Sequence, residues 1–104
     1  MNRGEVWWAE LPAPVNRRPV VLLSRDASFG VRTSTTVALI TRTIRGIPVE
    51  VELTPNEGLP YHCVINADNL QTIPIGILGQ RIATLNPVRL KEVETAVRFA
   101  LGLD

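Results

Sequence analysis

Arg18 and Thr41 are the residues of this chain best placed by type and position to act on a phosphate. The segment Arg17-Arg18-Pro19-Val20-Val21-Leu22-Leu23-Ser24 puts an arginine before one apolar run. The segment Ser34-Thr35-Thr36-Val37-Ala38-Leu39-Ile40-Thr41 ends a second apolar run on a threonine. A guanidinium fork and a hydroxyl held on rigid strand ends suit an anionic site, because charge spreads over phosphoryl oxygens as a bond to phosphorus breaks. Each residue also has an ordinary structural reading. Arg18 can pair at the surface with Glu10 or Asp26, and Thr41 can be a β-branched strand residue with a satisfied hydroxyl.

The remaining chemistry-bearing residues are sparse. His62 is the only histidine, so one subunit cannot build a two-histidine acid–base pair. Cys63 is the only cysteine, which excludes an internal disulfide and leaves a buried small hydrophobe as its role. No spacing of histidine, cysteine and carboxylate resembles a metal site, and Asp68 with Glu57 does not make one, so a reaction without a metal or cofactor is expected. Arg25, Arg32, Arg42 and Arg45 fall in loops, where they can track a nucleic-acid backbone or stay solvated. Trp7 and Trp8 alternate sides of a strand, which predicts one in the core and the other against a base or a partner.

These side chains need a scaffold, and 104 residues with 45% hydrophobic and 20% charged side chains fit one packed domain spanning 1–104. The apolar runs are far shorter than the roughly 20 residues that span a bilayer, and the chain reads as cytoplasmic. The net charge of +1 conceals an asymmetry. Residues 1–48 carry seven arginines against three carboxylates, whereas residues 49–104 carry four basic residues against seven acidic ones.

The patterning predicts strands over 5–11, 19–24, 35–41, 49–53, 61–66 and 69–73, with another over 81–84. The run 20–23 is apolar on both faces, as in a strand buried on two sides. Residues 49–53 alternate apolar and acidic, as in a strand with one solvated face. Loops are predicted over 25–33 and 42–48, the latter as a hairpin connection, and a helical turn near 75–78. Asn86 caps a final helix with Pro87 in its first turn, an apolar face of Leu90, Val93, Val97 and Leu101, and Gly102 as its stop. The fold class is mainly β with a C-terminal α-helix, a small twisted sheet or partly closed barrel.

Taken in order, Arg3-Gly4-Glu5-Val6-Trp7, Arg18-Pro19-Val20-Val21, Ile40-Thr41, Val64-Ile65-Asn66-Ala67-Asp68-Asn69-Leu70-Gln71-Thr72 and Ala100-Leu101-Gly102-Leu103 resemble the MazF/PemK family of bacterial toxins, most of all its actinobacterial members. The resemblance spans almost the whole chain. It implies an SH3-like barrel homodimer that cuts single-stranded RNA at short sequences without a metal, arrests growth, and is silenced by a cognate MazE-like antitoxin with an acidic segment. The family's arginine before proline falls on Arg18, and its threonine at the end of the third strand falls on Thr41, as catalytic residues. Family use of the region near RNA makes Asp68, Asn69, Gln71 and Thr72 candidate base contacts. The family's longer Gly-Ser-Glu-Gln-like first loop is reduced here to 12–17, where Asn16 and Arg17 are the available RNA-binding residues, with Arg25 and Arg42 along the backbone. Two other readings compete. One is a CcdB-like barrel that binds DNA gyrase without cutting anything, and the other is an inactive homologue that keeps only antitoxin binding.

Overall fold

A computed structural model describes residues 1–103 and shows a curled, six-stranded antiparallel sheet with one helix packed on it. The strands are β1 (Glu5–Glu10), β2 (Arg17–Leu22), β3 (Ser34–Thr41), β4 (Glu50–Leu53), β5 (Cys63–Pro74) and β6 (Leu78–Thr84), followed by α1 (Pro87–Leu101). Their order across the sheet is β4-β5-β3-β2-β1-β6.

Two hydrophobic clusters explain why β2 carries no polar alternation. Val21 packs with Val6, Ala38 and Ile40 beneath α1, while Val20 and Leu22 pack with Ala9, Val37 and Leu39 on the opposite face. Val20, Val21 and Leu22 are wholly buried, so β2 is the strand shared by both cores. In β4, by contrast, Val51 and Leu53 face the core while Glu52 is exposed, as the period-two pattern predicts.

Four expectations need correction. β3 and β4 do not form a hairpin, because β5 lies between them and residues 42–49 cross past β5 to the sheet edge formed by β4. The strands expected over 61–66 and 69–73 are one strand, β5, kinked where Ala67, Asp68 and Asn69 bulge between the pairs Leu39↔Asn66 and Ala38↔Leu70. The loop over 25–33 contains a short 3-10 turn, Asp26–Gly30. Leu101 is exposed, because the buried face of α1 runs through Val93 and Ala96 with Leu90, Val97 and Ala100 beside them. The Asn86 cap forms as expected, its side chain accepting the Arg89 N–H at 2.8 Å, and Gly102 ends the helix at φ 70°. Among the described residues no helix is long and apolar enough to cross a membrane.

Candidate active site

Register brings Arg18 and Thr41 together. β2 and β3 pair antiparallel from Leu22↔Val37 to Val20↔Leu39, and Arg18 and Thr41 each lie two residues beyond that last pair. Both line a cleft of about 240 Å³ with Leu39, Thr43, Arg45, Asn66 and Asn69.

Each strand contributes for a local reason. Arg18 sits just before the doubly buried run of β2, so its backbone is fixed while its side chain is only partly covered. Thr41 closes β3, and its Oγ1 accepts the Thr43 N–H at 3.2 Å as the chain turns away. Asn66 precedes the bulge of β5 and Asn69 closes it, and the Asn66 Oδ1 accepts the Asp68 N–H at 2.9 Å, which holds the bulge in shape. Beyond β3, Glu50 Oε1 accepts the N–H groups of Arg45 at 2.9 Å and Gly46 at 2.8 Å. Gly46 has φ +71°, which lets successive N–H groups converge on one oxygen.

Among the described residues Arg18 makes no ion pair. The surface pairing expected as its alternative fate goes to its neighbours instead. Arg17 lies opposite Glu10 in the ladder, with Nε 3.4 Å from Glu10 Oε1, and its guanidinium covers the Trp8 ring at 4.1 Å. Asp26 Oδ1 accepts the Arg3 N–H at 2.6 Å. The cleft therefore holds two guanidinium groups, from Arg18 and Arg45, and no carboxylate or imidazole lines it among the described residues. A guanidinium stays protonated at any ordinary pH, so the site is a fixed positive charge ringed by neutral donors and acceptors.

Of the other predicted residues, Asn69 and Arg45 line this cleft. Gln71 lies further along β5 with its Nε2 3.5 Å from Asn69 Oδ1. Asp68 is exposed on the bulge. Thr72 and Arg25 line a separate cleft at the other end of β3. Arg42 stacks over Tyr61 at 4.7 Å. Asn16, at φ 59°, closes the short first loop, its Nδ2 donating to the Pro14 carbonyl at 3.2 Å. Trp7 packs against the second core, with its Nε1 donating to Glu5 Oε1 at 2.9 Å. His62 pairs with Glu52 at 3.1 Å in solvent. Thr43 and Asn66 join the site without having been singled out as site residues, and their only signal in the sequence is nearness to Thr41 and Asp68.

Comparison with known proteins concerns the whole chain. The family profile described as a PemK-like, MazF-like toxin of type II toxin–antitoxin systems matches residues 2–101. The Mycobacterium tuberculosis protein named probable endoribonuclease MazF5 is 39% identical over 100 residues, which is 95% of this chain and 91% of the relative. The solved structure of M. tuberculosis toxin MazF-mt6 superposes with a TM-score of 0.88 at 35% identity, covering 96% of this chain and 98% of that one. A mycobacterial endoribonuclease solved in complex with its cognate antitoxin gives a TM-score of 0.88 at 28% identity, over 100% of this chain and 97% of that one. The fold is thus shared from end to end with these toxins, and the chain belongs to the PemK-like, MazF-like toxin family of type II toxin–antitoxin systems.

Proposed function

We propose that residues 1–104 form a single toxin domain acting as a sequence-specific endoribonuclease on single-stranded RNA, without a metal ion, and leaving 2′,3′-cyclic phosphate and 5′-hydroxyl ends. The observation that carries this reading is Arg18, free of any carboxylate partner among the described residues and lining one cleft with Thr41, Arg45, Asn66 and Asn69. Its support from relatives is that homologues across the whole chain are named endoribonucleases.

RNA supplies its own nucleophile. The 2′-hydroxyl gives up its proton to water as its oxygen attacks the adjacent phosphorus, the bond to the 5′-oxygen breaks, and that oxygen takes a proton from water as it leaves. Arg18 clamps the non-bridging oxygens through two N–H donors, and the Arg45 charge adds to the field as negative charge builds on the phosphorane. Thr41 positions the 2′-hydroxyl or a phosphate oxygen, since a threonine hydroxyl is too weak a base to take the proton itself. Asn66 and Asn69 offer amide donors and acceptors to base edges beside the cut.

The working unit is a homodimer, in keeping with the exposed apolar residues Phe99, Leu101 and Leu103. Its inhibitor is a cognate antitoxin whose acidic segment competes with RNA for the arginine-rich half of the chain. Expression in a bacterial host tests the reading. Growth arrest with fragmented RNA, lost in Arg18→Ala, is the expected outcome. Arrest with intact RNA and inhibited gyrase supercoiling identifies a gyrase binder, and no arrest at all identifies an antitoxin-binding remnant.

A further inference from the structure

The hydrogen bonds that shape the Arg18 cleft also fix which way its polar side chains can act. Asn66 Oδ1 accepts the Asp68 N–H at 2.9 Å. A backbone N–H can only donate, so the end of the Asn66 amide held against the bulge is its oxygen, and the end left for a ligand is the Nδ2 amino group. Thr41 Oγ1 accepts the Thr43 N–H at 3.2 Å, which leaves its own proton to donate. Arg18 and Arg45 carry donors alone. Asn69 Oδ1 is turned toward Gln71 Nε2, 3.5 Å away. Of the polar side chains lining the cleft, the Thr43 hydroxyl is the one left free to act either way.

These donors divide by position. β3 and β5 pair through Leu39↔Asn66 and Thr41↔Val64, so Asn66 lies diagonally across the ladder from Thr41 and on the same face. Diagonal neighbours of this kind are about 7–8 Å apart. Arg18 is two residues from Val20, which packs with Leu39 on that face, and so projects there as well. With a phosphate held by Arg18 and Thr41, the base of the same nucleotide reaches across to Asn66. The amide there is fixed by the bulge before any ligand arrives.

Single-stranded RNA exposes the Watson–Crick and Hoogsteen edges of its bases. On those edges guanine and uracil carry an exocyclic oxygen that accepts, where adenine and cytosine carry an amino group that donates. An amino group brought against Asn66 Nδ2 sets donor against donor and leaves both unpaired. We propose that Asn66 selects a keto base, guanine or uracil, beside the bond that is cut, and rejects adenine and cytosine at that position. This rests on the ribonuclease reading, and the experiment separates the two.

Short 2′-O-methyl oligonucleotides lack the attacking hydroxyl and report binding alone. Oligouridylate with oligocytidylate makes one keto and amino pair, and oligoinosinate with oligoadenylate makes the other. The wild-type protein is expected to bind the keto member of each pair about tenfold more tightly. Asn66→Asp keeps the oxygen that accepts the Asp68 N–H and replaces the amino group with a second acceptor. Its added charge weakens all four oligonucleotides, but the preference itself should reverse toward the amino members. Asn66→Ala should abolish the preference. The wild-type preference is a test by itself should either variant lose its fold. Equal binding of both members of each pair, a wild-type preference for the amino members, no binding of any of the four, or a preference unchanged in folded Asn66→Asp overturns the proposal. Cleavage of unmodified RNA of mixed sequence is followed in parallel. If that RNA is cut while no keto preference exists, the ribonuclease reading stands and base selection by Asn66 fails. If it stays intact while the preference persists and reverses in Asn66→Asp, the ribonuclease reading fails and the base site stands.

Discussion

One carboxylate oxygen of Glu50 accepts the backbone N–H groups of both Arg45 and Gly46, at 2.9 and 2.8 Å, and so ties the chain that crosses from β3 to β4 into a fixed turn. That turn delivers Arg45 to the cleft occupied by Arg18 and Thr41. Glu50 is thus a positioning residue that never needs to meet the substrate. Glu50→Ala should lower kcat/KM about tenfold, equivalent to about 1.4 kcal/mol. Glu50→Gln retains an oxygen that can accept both N–H groups and should recover most of that loss. Combined with Arg45→Ala, Glu50→Ala should add little, because both changes remove the same contribution. Steady-state cleavage by the wild type, the three single variants and the double variant checks this, and full additivity would separate Glu50 from Arg45.

Arg18→Ala should reduce kcat about 10²–10³-fold, the effect of removing one preorganised donor from a developing oxyanion. Arg18→Lys keeps the charge but not the two-pronged geometry, and should stay well below wild type. Single-turnover cleavage by the two variants measures both effects. A lysine variant with wild-type kcat would reduce the role of Arg18 to charge alone.

The cleft contains no imidazole or carboxylate among its lining residues, and His62 is held by Glu52 in solvent. The pH dependence of kcat should therefore lack the bell shape of a histidine or carboxylate acid–base pair, and His62→Ala should cleave at the wild-type rate. A bell-shaped profile that flattens in His62→Ala would place His62 in the reaction.

Arg18 and Thr41 were legible because an antiparallel ladder needs no geometry beyond counting. A basic residue at the start of one doubly buried strand and a hydroxyl at the end of the next come to the same end of the sheet if the two strands pair antiparallel. The helix was legible through its Asn86 cap and Gly102 stop, except that Leu101 lies off the buried stripe. The bulge at 67–69 was not legible. Polar Asp68 and Asn69 suggest a break between strands, yet Ala67 is buried and its N–H donates to the Val49 carbonyl at 2.8 Å, so the ladder continues through the kink. The insertion of β5 between β3 and β4 was equally hidden, since only non-local pairing decides it. With it went the knowledge that the 42–49 crossing returns Thr43 and Arg45 to the cleft.

Glu57 links the β4–β5 turn to α1. Burial alone would push its carboxyl up. The Arg89 fork, with Nε at 2.8 Å and Nη2 at 3.3 Å, together with the Thr54 N–H at 3.0 Å, holds it below the ordinary glutamate value. A depressed carboxyl contributes stability that is present above its unfolded pKa and lost as pH falls through the folded one. Thermal unfolding from pH 7 downward should show Tm falling below about pH 4.5, the ordinary glutamate range. Glu57→Gln should cost about 1–3 kcal/mol at pH 7 and flatten part of that acid limb. An unchanged acid limb in Glu57→Gln would rule out this coupling.

Cys63 is wholly buried at the start of β5, and burial, with the Glu57 charge as a smaller cause, pushes its thiol up to about 11. At pH 7.5 the thiol should resist alkylation in the folded protein and react fully in denaturant. Labelling followed by mass spectrometry reads this directly, and rapid labelling under native conditions would show that the core around Cys63 opens readily.

The most direct test of the central claim is to incubate the purified protein, beside Arg18→Ala, with a long single-stranded RNA in EDTA and to map the fragment ends. Discrete cuts at one short sequence, bearing 2′,3′-cyclic phosphate and 5′-hydroxyl ends and absent with Arg18→Ala, are the predicted result. RNA left intact by the wild-type protein, or cut equally by both proteins, would contradict it.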